Sequence, residues 1–145
     1  MKLLYKILFA LHLVVGIGAL AGGLAAITNP NNPLGAPTSM LKNSPFTNFL
    51  IPGILLFTII GLGNILSSLT LYFKSKFQGY ISSTFTFALV IWIIVQCVML
   101  RDVVFLHVLF FIIGLLGAIL SVIILFNKNQ FPANVIKAFY IKITK

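Results

Sequence analysis

Four stretches of this chain are long, apolar and free of acidic or basic residues in their interiors, and they dictate what it can become. They run over about 3–27, 49–73, 80–100 and 104–126, with Lys6 near the start of the first. Crossing ~30 Å of hydrocarbon takes about 20 apolar residues wound as a helix, and each stretch is long enough. The fold class this implies is an all-α membrane protein, an antiparallel four-helix transmembrane bundle. Residues 1–126 read as one such domain, followed by a basic interfacial tail over 127–145.

Composition supports the same reading. Hydrophobic residues make up 60% of the 145 and charged ones 8%, against about 45–50% and about 25% in a soluble domain. That leaves too little polar surface to wrap a core, and far too much hydrophobicity for a disordered chain.

The ionisable inventory excludes several chemistries. Asp102 is the only acid against ten Lys plus Arg. A pair of catalytic carboxylates of the glycosidase type is therefore ruled out within one chain, as is a carboxylate cage for Ca²⁺ or Mg²⁺. Cys97 is the only cysteine, so there is no internal disulfide and no CxxC pair. No cofactor and no metal are expected. The net charge of +9 reads as membrane anchoring rather than nucleic-acid binding.

Cytoplasmic flanks of membrane helices carry excess Lys and Arg. With the N-terminus inside, the inner segments hold Lys2, Lys6, Lys74, Lys76, Lys128, Lys137, Lys142 and Lys145, and the outer ones hold Lys42 and Arg101. Eight against two puts both termini in the cytoplasm. A competing reading takes Met1–Lys6 as the basic start of a signal peptide and Ala19-Leu20-Ala21 as its cleavage site. The apolar run continues to Ile27, which argues for a span.

Small residues mark the expected helix contacts, because close backbone approach drives association in lipid. The rows are His12, Gly16, Ala19, Gly23 and Ala26; Gly53, Phe57, Gly61, Asn64 and Ser68; Ser82, Thr86, Leu89, Ile93 and Gln96; and His107, Phe111, Gly114, Ala118 and Ser121. Gly18 and Gly22 form a GxxxG on a neighbouring face, either for a second copy or for packing within the bundle. Ser44 and Pro45 read as a helix start. Pro52 then bends the helix, unless Ser44-Pro45 first forms a separate turn. The connection over 28–48 is rich in Pro, Asn and Gly, and Thr38–Leu41 fits one helical turn. That connection reads equally as a functional lid or a passive cap.

Polar residues at membrane depth are the functional pointers. His12 lies roughly 9 Å beyond Lys6 and Asn64 roughly 15 Å from Lys74 at ~1.5 Å per residue, similar depths from which the two can hydrogen-bond. Interhelical glue is the favoured role for this pair. A second group gathers toward the outer side: Trp92, Gln96, Arg101, Asp102 and His107. An apolar wall with a few polar fingers suits a lipid or hydrophobic small molecule, and an ordinary interfacial belt is the alternative. Asp102 is placed to cap the fourth helix. The tail over 131–145 follows neither a helical nor a strand period throughout.

Several segments carry a resemblance. Gly18-Ala19-Leu20-Ala21-Gly22-Gly23, Leu34-Gly35-Ala36-Pro37, Ser44-Pro45-Phe46 with Leu50-Ile51-Pro52-Gly53-Ile54-Leu55-Leu56-Phe57, and Ile91-Trp92-Ile93-Ile94-Val95-Gln96 resemble a group of small bacterial four-helix membrane proteins of unestablished function. The resemblance covers about 3–125 and implies a bacterial cytoplasmic membrane location; it supplies no catalytic residue. The leading expectation is a non-enzymatic membrane protein binding a lipid or hydrophobic small molecule in its outer half. The alternatives are an accessory or immunity-type subunit of a larger membrane complex, and a small lipid-modifying enzyme using His107 and Asp102. Expected partners are membrane lipids and either another membrane protein or a second copy, with no nucleic acid.

Overall fold

The computed structural model describes residues 1–143; Thr144 and Lys145 of the basic tail lie outside the described residues. Four long helices carry the chain: α1 (Lys2–Thr28), α2 (Leu50–Tyr72), α3 (Gln78–Leu100) and α4 (Phe105–Asn127). A shorter α5 (Ala133–Ile143) follows. The first four are long and apolar enough to cross a membrane. At ~1.5 Å per residue they measure about 35–40 Å, more than the ~30 Å of a bilayer core.

Their outward faces are apolar. Val14, Ile17, Ile91, Val98, Phe105 and Ile119 each expose more than half of their surface. The inward faces carry small and polar side chains beside apolar ones such as Leu8, Ile60 and Leu89. His12, Asn64, Ser67, Ser68, Ser82 and Ser121 are all buried, and so are Gly16, Ala19, Gly23, Ala26, Gly53, Gly61 and Gly114. Apolar outward faces over an interior with many small and polar residues are the pattern suited to lipid surroundings, where apolar surface needs no burial and close packing governs helix association.

The seam between α1 and α2 is tight. A Cβ added to Gly23 would fall 2.7 Å from the Phe57 backbone nitrogen, and one on Gly53 would fall 2.6 Å from Ala26 Cβ. At this seam α2 passes through a π-helical segment, Leu56–Leu62, which includes Phe57. Wider turns of this kind loosen the main-chain ladder, and side chains here bond to main-chain carbonyls. Thr58 Oγ1 donates to Ile54 O at 2.7 Å and Asn64 Nδ2 to Ile60 O at 2.8 Å.

Helix α2 begins later than Ser44-Pro45. Ser44 Oγ accepts the Phe46 N–H at 3.2 Å and donates to Leu41 O at 2.9 Å, closing a separate turn. Asn48 Oδ1 accepts the Leu50 N–H at 3.1 Å at the true start. Pro52 therefore stands in the first turn, where its missing N–H would have had no helical partner. The preceding connection contains two short 3₁₀ turns, Pro33–Gly35 and Thr38–Leu41, and Leu41 is buried.

The molecule has two distinct ends. At one, the connection over 28–49 meets the turn over 101–104; we call it the loop end. At the other, Gln130 Nε2 donates to Lys76 O at 2.9 Å, and Asn127 Nδ2 lies 3.4 Å from Met1 Sδ. Leu8, Leu71 and Ile124 plug this terminal end with an apolar cluster. The tail that no single period described is helical over Ala133–Ile143. Lys137 Nζ folds back to Phe126 O at 2.6 Å and Asn129 Oδ1 at 2.7 Å, placing a cation against the carbonyl end of α4, where the helix dipole favours it.

Candidate functional site

The loop end is hollow. A cavity of about 510 Å³ opens there between α1, α2, α3 and α4, within the ~300–1,000 Å³ range of small-molecule pockets. Its α1 wall is Gly18, Ala19, Ala21, Gly22 and Ala26; Leu56 and Ile60 come from α2, and Phe110 from α4. Pro33, Leu34 and Phe49 form its rim from the connection above. Apart from Val15, the α1 wall contributes only small side chains to the lining. A Cβ on Gly18 would find its nearest atom, Phe110 Cζ, at 3.7 Å, and one on Gly22 would find Leu56 Cδ2 at 3.5 Å. Both are ordinary contact distances, with open space beyond.

Trp92, Gln96 and His107 line this cavity. Among the described residues, none that lines it is Lys, Arg, Asp or Glu. The Trp92 indole Nε1 is buried and has no hydrogen-bond partner in the protein; an unpaired buried donor costs about 1–3 kcal/mol. His107 is nearly buried and sits in the first turn of α4. Its Nδ1 accepts the Val104 N–H at 3.3 Å. In the neutral ring that leaves the proton on Nε2, since the bond made by one nitrogen sets the tautomer of the other.

The other two residues expected here stand apart from the cavity. Arg101 ends α3 in the left-handed conformation with φ 49, and it is exposed. Asp102 is exposed too, and its Oδ1 accepts the N–H of its neighbour Val103 at 2.8 Å. It does not cap α4. The helix starts after Val104, two residues beyond the acid, and the His107 ring serves the end group that Asp102 was expected to serve.

The deeper polar pair meets. His12 Nδ1 and Asn64 Oδ1 lie 2.7 Å apart between α1 and α2, both buried. Because Asn64 Nδ2 donates to Ile60 O, Oδ1 is the acceptor and His12 Nδ1 carries the proton. His12 Nε2 has no partner. Neither residue lines the cavity, so the pair joins helices and lies outside the candidate site. Among the described residues no three His, Cys, Asp or Glu side chains gather as metal ligands.

Sequence reasoning missed the cavity walls. Gly18 and Gly22 read as a helix-packing motif, and nothing in their spacing distinguishes a face pressed on a neighbour from one facing a void. Leu34 at the rim was also missed. It holds φ 52 and is 87% exposed, a costly arrangement for a leucine; the flanking Asn, Pro and Gly residues were the only signal. Fold and site together define a helical protein with four potential membrane crossings and an apolar loop-end pocket with polar fingers. No family model, curated protein or solved structure matches the chain.

Proposed function

We propose that this is a multi-pass membrane protein that binds a lipid-like or hydrophobic small molecule in its loop-end cavity, without catalysis. The observation that carries the reading is the cavity itself: about 510 Å³ of apolar space bounded by Gly18, Ala21 and Gly22 and touched by Trp92, Gln96 and His107. Binding of an amphiphile needs an apolar pocket with few, well-placed polar groups, and that is the chemistry assembled here. The separate bonds of Asp102 and His107 offer no support for an acid–base pair.

Within the same reading the four helices form an antiparallel bundle. Gly79 packs near Leu125 while Gly114 packs near Leu89 and Val90, contacts that favour opposite directions for α3 and α4. The lysine excess at the terminal end favours cytoplasmic termini, and the motif resemblance favours a bacterial cytoplasmic membrane. Labelling Lys42 and Lys76 from opposite sides of intact vesicles supports this topology; labelling from one side overturns it.

Trp92 is the only tryptophan and lines the cavity, so its fluorescence reports on that wall. Titrating the detergent-solubilised protein with a bromine-labelled acyl amphiphile should quench Trp92 along a saturable curve that the unlabelled amphiphile reverses. Quenching that rises linearly without saturation overturns the binding reading.

A further inference from the structure

Resting on the cavity reading above, we infer that the occupant is an uncharged amphiphile whose head group presents a hydrogen-bond acceptor, such as an ester or ketone carbonyl, rather than a fatty acid or an amine. Three observations on the lining converge on this.

The first is the charge of the wall. Among the described residues, no Lys, Arg, Asp or Glu lines the cavity. An ionised head group drawn into such a space would lose its hydration with no opposite charge to replace it. The nearest Lys, Arg, Asp or Glu residues in the sequence, Arg101 and Asp102, are exposed beyond the end of α3, and the lining His107 holds its Nδ1 unprotonated as the acceptor of the Val104 N–H. A charged head would therefore stay at the mouth and leave the polar fingers unused.

The second is the direction of the hydrogen bonding. Val104 N–H occupies His107 Nδ1, so the neutral ring has only a donor left, the Nε2 proton. The Trp92 indole Nε1 is buried without accessible surface, so Trp92 offers its ring to the cavity but no hydrogen bond to an occupant. Gln96 adds an amide that both donates and accepts. Of these two polar groups His107 can only donate and Gln96 can donate as well, a set that favours an acceptor on the ligand. A ligand offering donors alone, such as an ammonium, meets only the Gln96 carbonyl.

The third is the shape of the approach. Gly18 and Ala21 on the cavity wall are exposed, as is Leu106 across from them. A chain can thus lie along a wall of glycine and alanine backbone while its head reaches the first turn of α4. That geometry suits a single acyl or isoprenoid chain with a compact head.

The experiment uses the full chain in detergent micelles and three bromine-labelled probes of one chain length: the methyl ester, the free fatty acid at a pH where it is ionised, and the primary amine. The readout is the part of Trp92 quenching that an excess of unlabelled ester reverses. The ester should bind about ten-fold or more tightly than the acid and the amine. In His107→Phe, which keeps an aromatic ring without the donor, ester affinity should fall roughly five-fold, the size expected for one hydrogen bond. Gln96→Leu serves as the second variant should the first not fold, as judged by circular dichroism, and should weaken the ester by a similar factor.

Equal or tighter binding of the acid or the amine overturns the inference while leaving the cavity reading intact. Unchanged ester affinity in a folded His107→Phe or Gln96→Leu also overturns it. Absence of reversible quenching by all three probes overturns the cavity reading and this inference together.

Discussion

Helix α1 carries two sets of glycines that do opposite work. Gly16 and Gly23 face α2, where added Cβ atoms would fall 2.7 Å from Ile65 Cδ1 and from the Phe57 backbone nitrogen. Gly18 and Gly22, on an adjacent face, meet nothing closer than 3.5 Å and line the cavity. One pair lacks side chains so that two backbones can touch; the other pair lacks them and leaves a space. The residue type does not tell the two roles apart. What decides is whether a neighbouring helix comes near that face: α2 does at Gly16 and Gly23, and no backbone does at Gly18 and Gly22.

The sharpest way to break this comparison is to put the same side chain on each face. Gly23→Leu should cost several kcal/mol, because the obstacle is Phe57 backbone, which cannot swing aside; overpacking by even one methylene typically costs ~1–3 kcal/mol. Loss of monodisperse protein in detergent, or a large fall in melting temperature, is the expected outcome. A Gly23→Leu protein as stable as wild type would mean the seam is loose.

Next in size is the buried pair in the same seam. Asn64→Leu removes the acceptor of His12 Nδ1 and should destabilise by about 1–3 kcal/mol, the penalty of an orphaned buried donor. A double-mutant cycle with His12→Leu should return a coupling of ~0.6–2 kcal/mol, the range for hydrogen bonds between membrane helices. Zero coupling would remove the pair from the account of how α1 holds α2.

Gly22→Leu comes third. A Cβ there has room, so stability should shift by no more than ~0.5 kcal/mol. The leucine would nonetheless fill part of the cavity, and reversible Trp92 quenching should fall at least ten-fold. The contrast of a large effect at Gly23 with a small one at Gly22, one residue apart, is what the two-face account demands. Smallest of all is Asp102→Asn. Its one recorded hydrogen bond is to the neighbouring Val103 N–H, outside the cavity, so melting temperature and quenching should both stay within error.

Much of this architecture was written in the chain. Long uncharged apolar runs leave the backbone no water to bond, so helices were legible, and small residues at steps of three and four marked buried faces. Matching depths brought His12 and Asn64 together on paper, because depth follows from counting residues along a helix. Trp92, Gln96 and His107 were legible as a group near one end for the same reason. The hollow itself was not, since a void depends on how far α1 and α4 diverge, and local spacing does not encode that distance. Asp102 illustrates a second limit. An acid just before a helix reads as a cap, yet the turn closed two residues later, where an imidazole three positions into the helix took the Val104 N–H.

The central claim is that the loop end holds a cavity occupied by an amphiphile. Native mass spectrometry of the gently extracted protein, wild type beside Gly22→Leu, tests it most directly. Wild type should carry one bound amphiphile that survives detergent removal, and Gly22→Leu should lose most of it while keeping its fold. An adduct equally abundant on both proteins, or on neither, would contradict the claim.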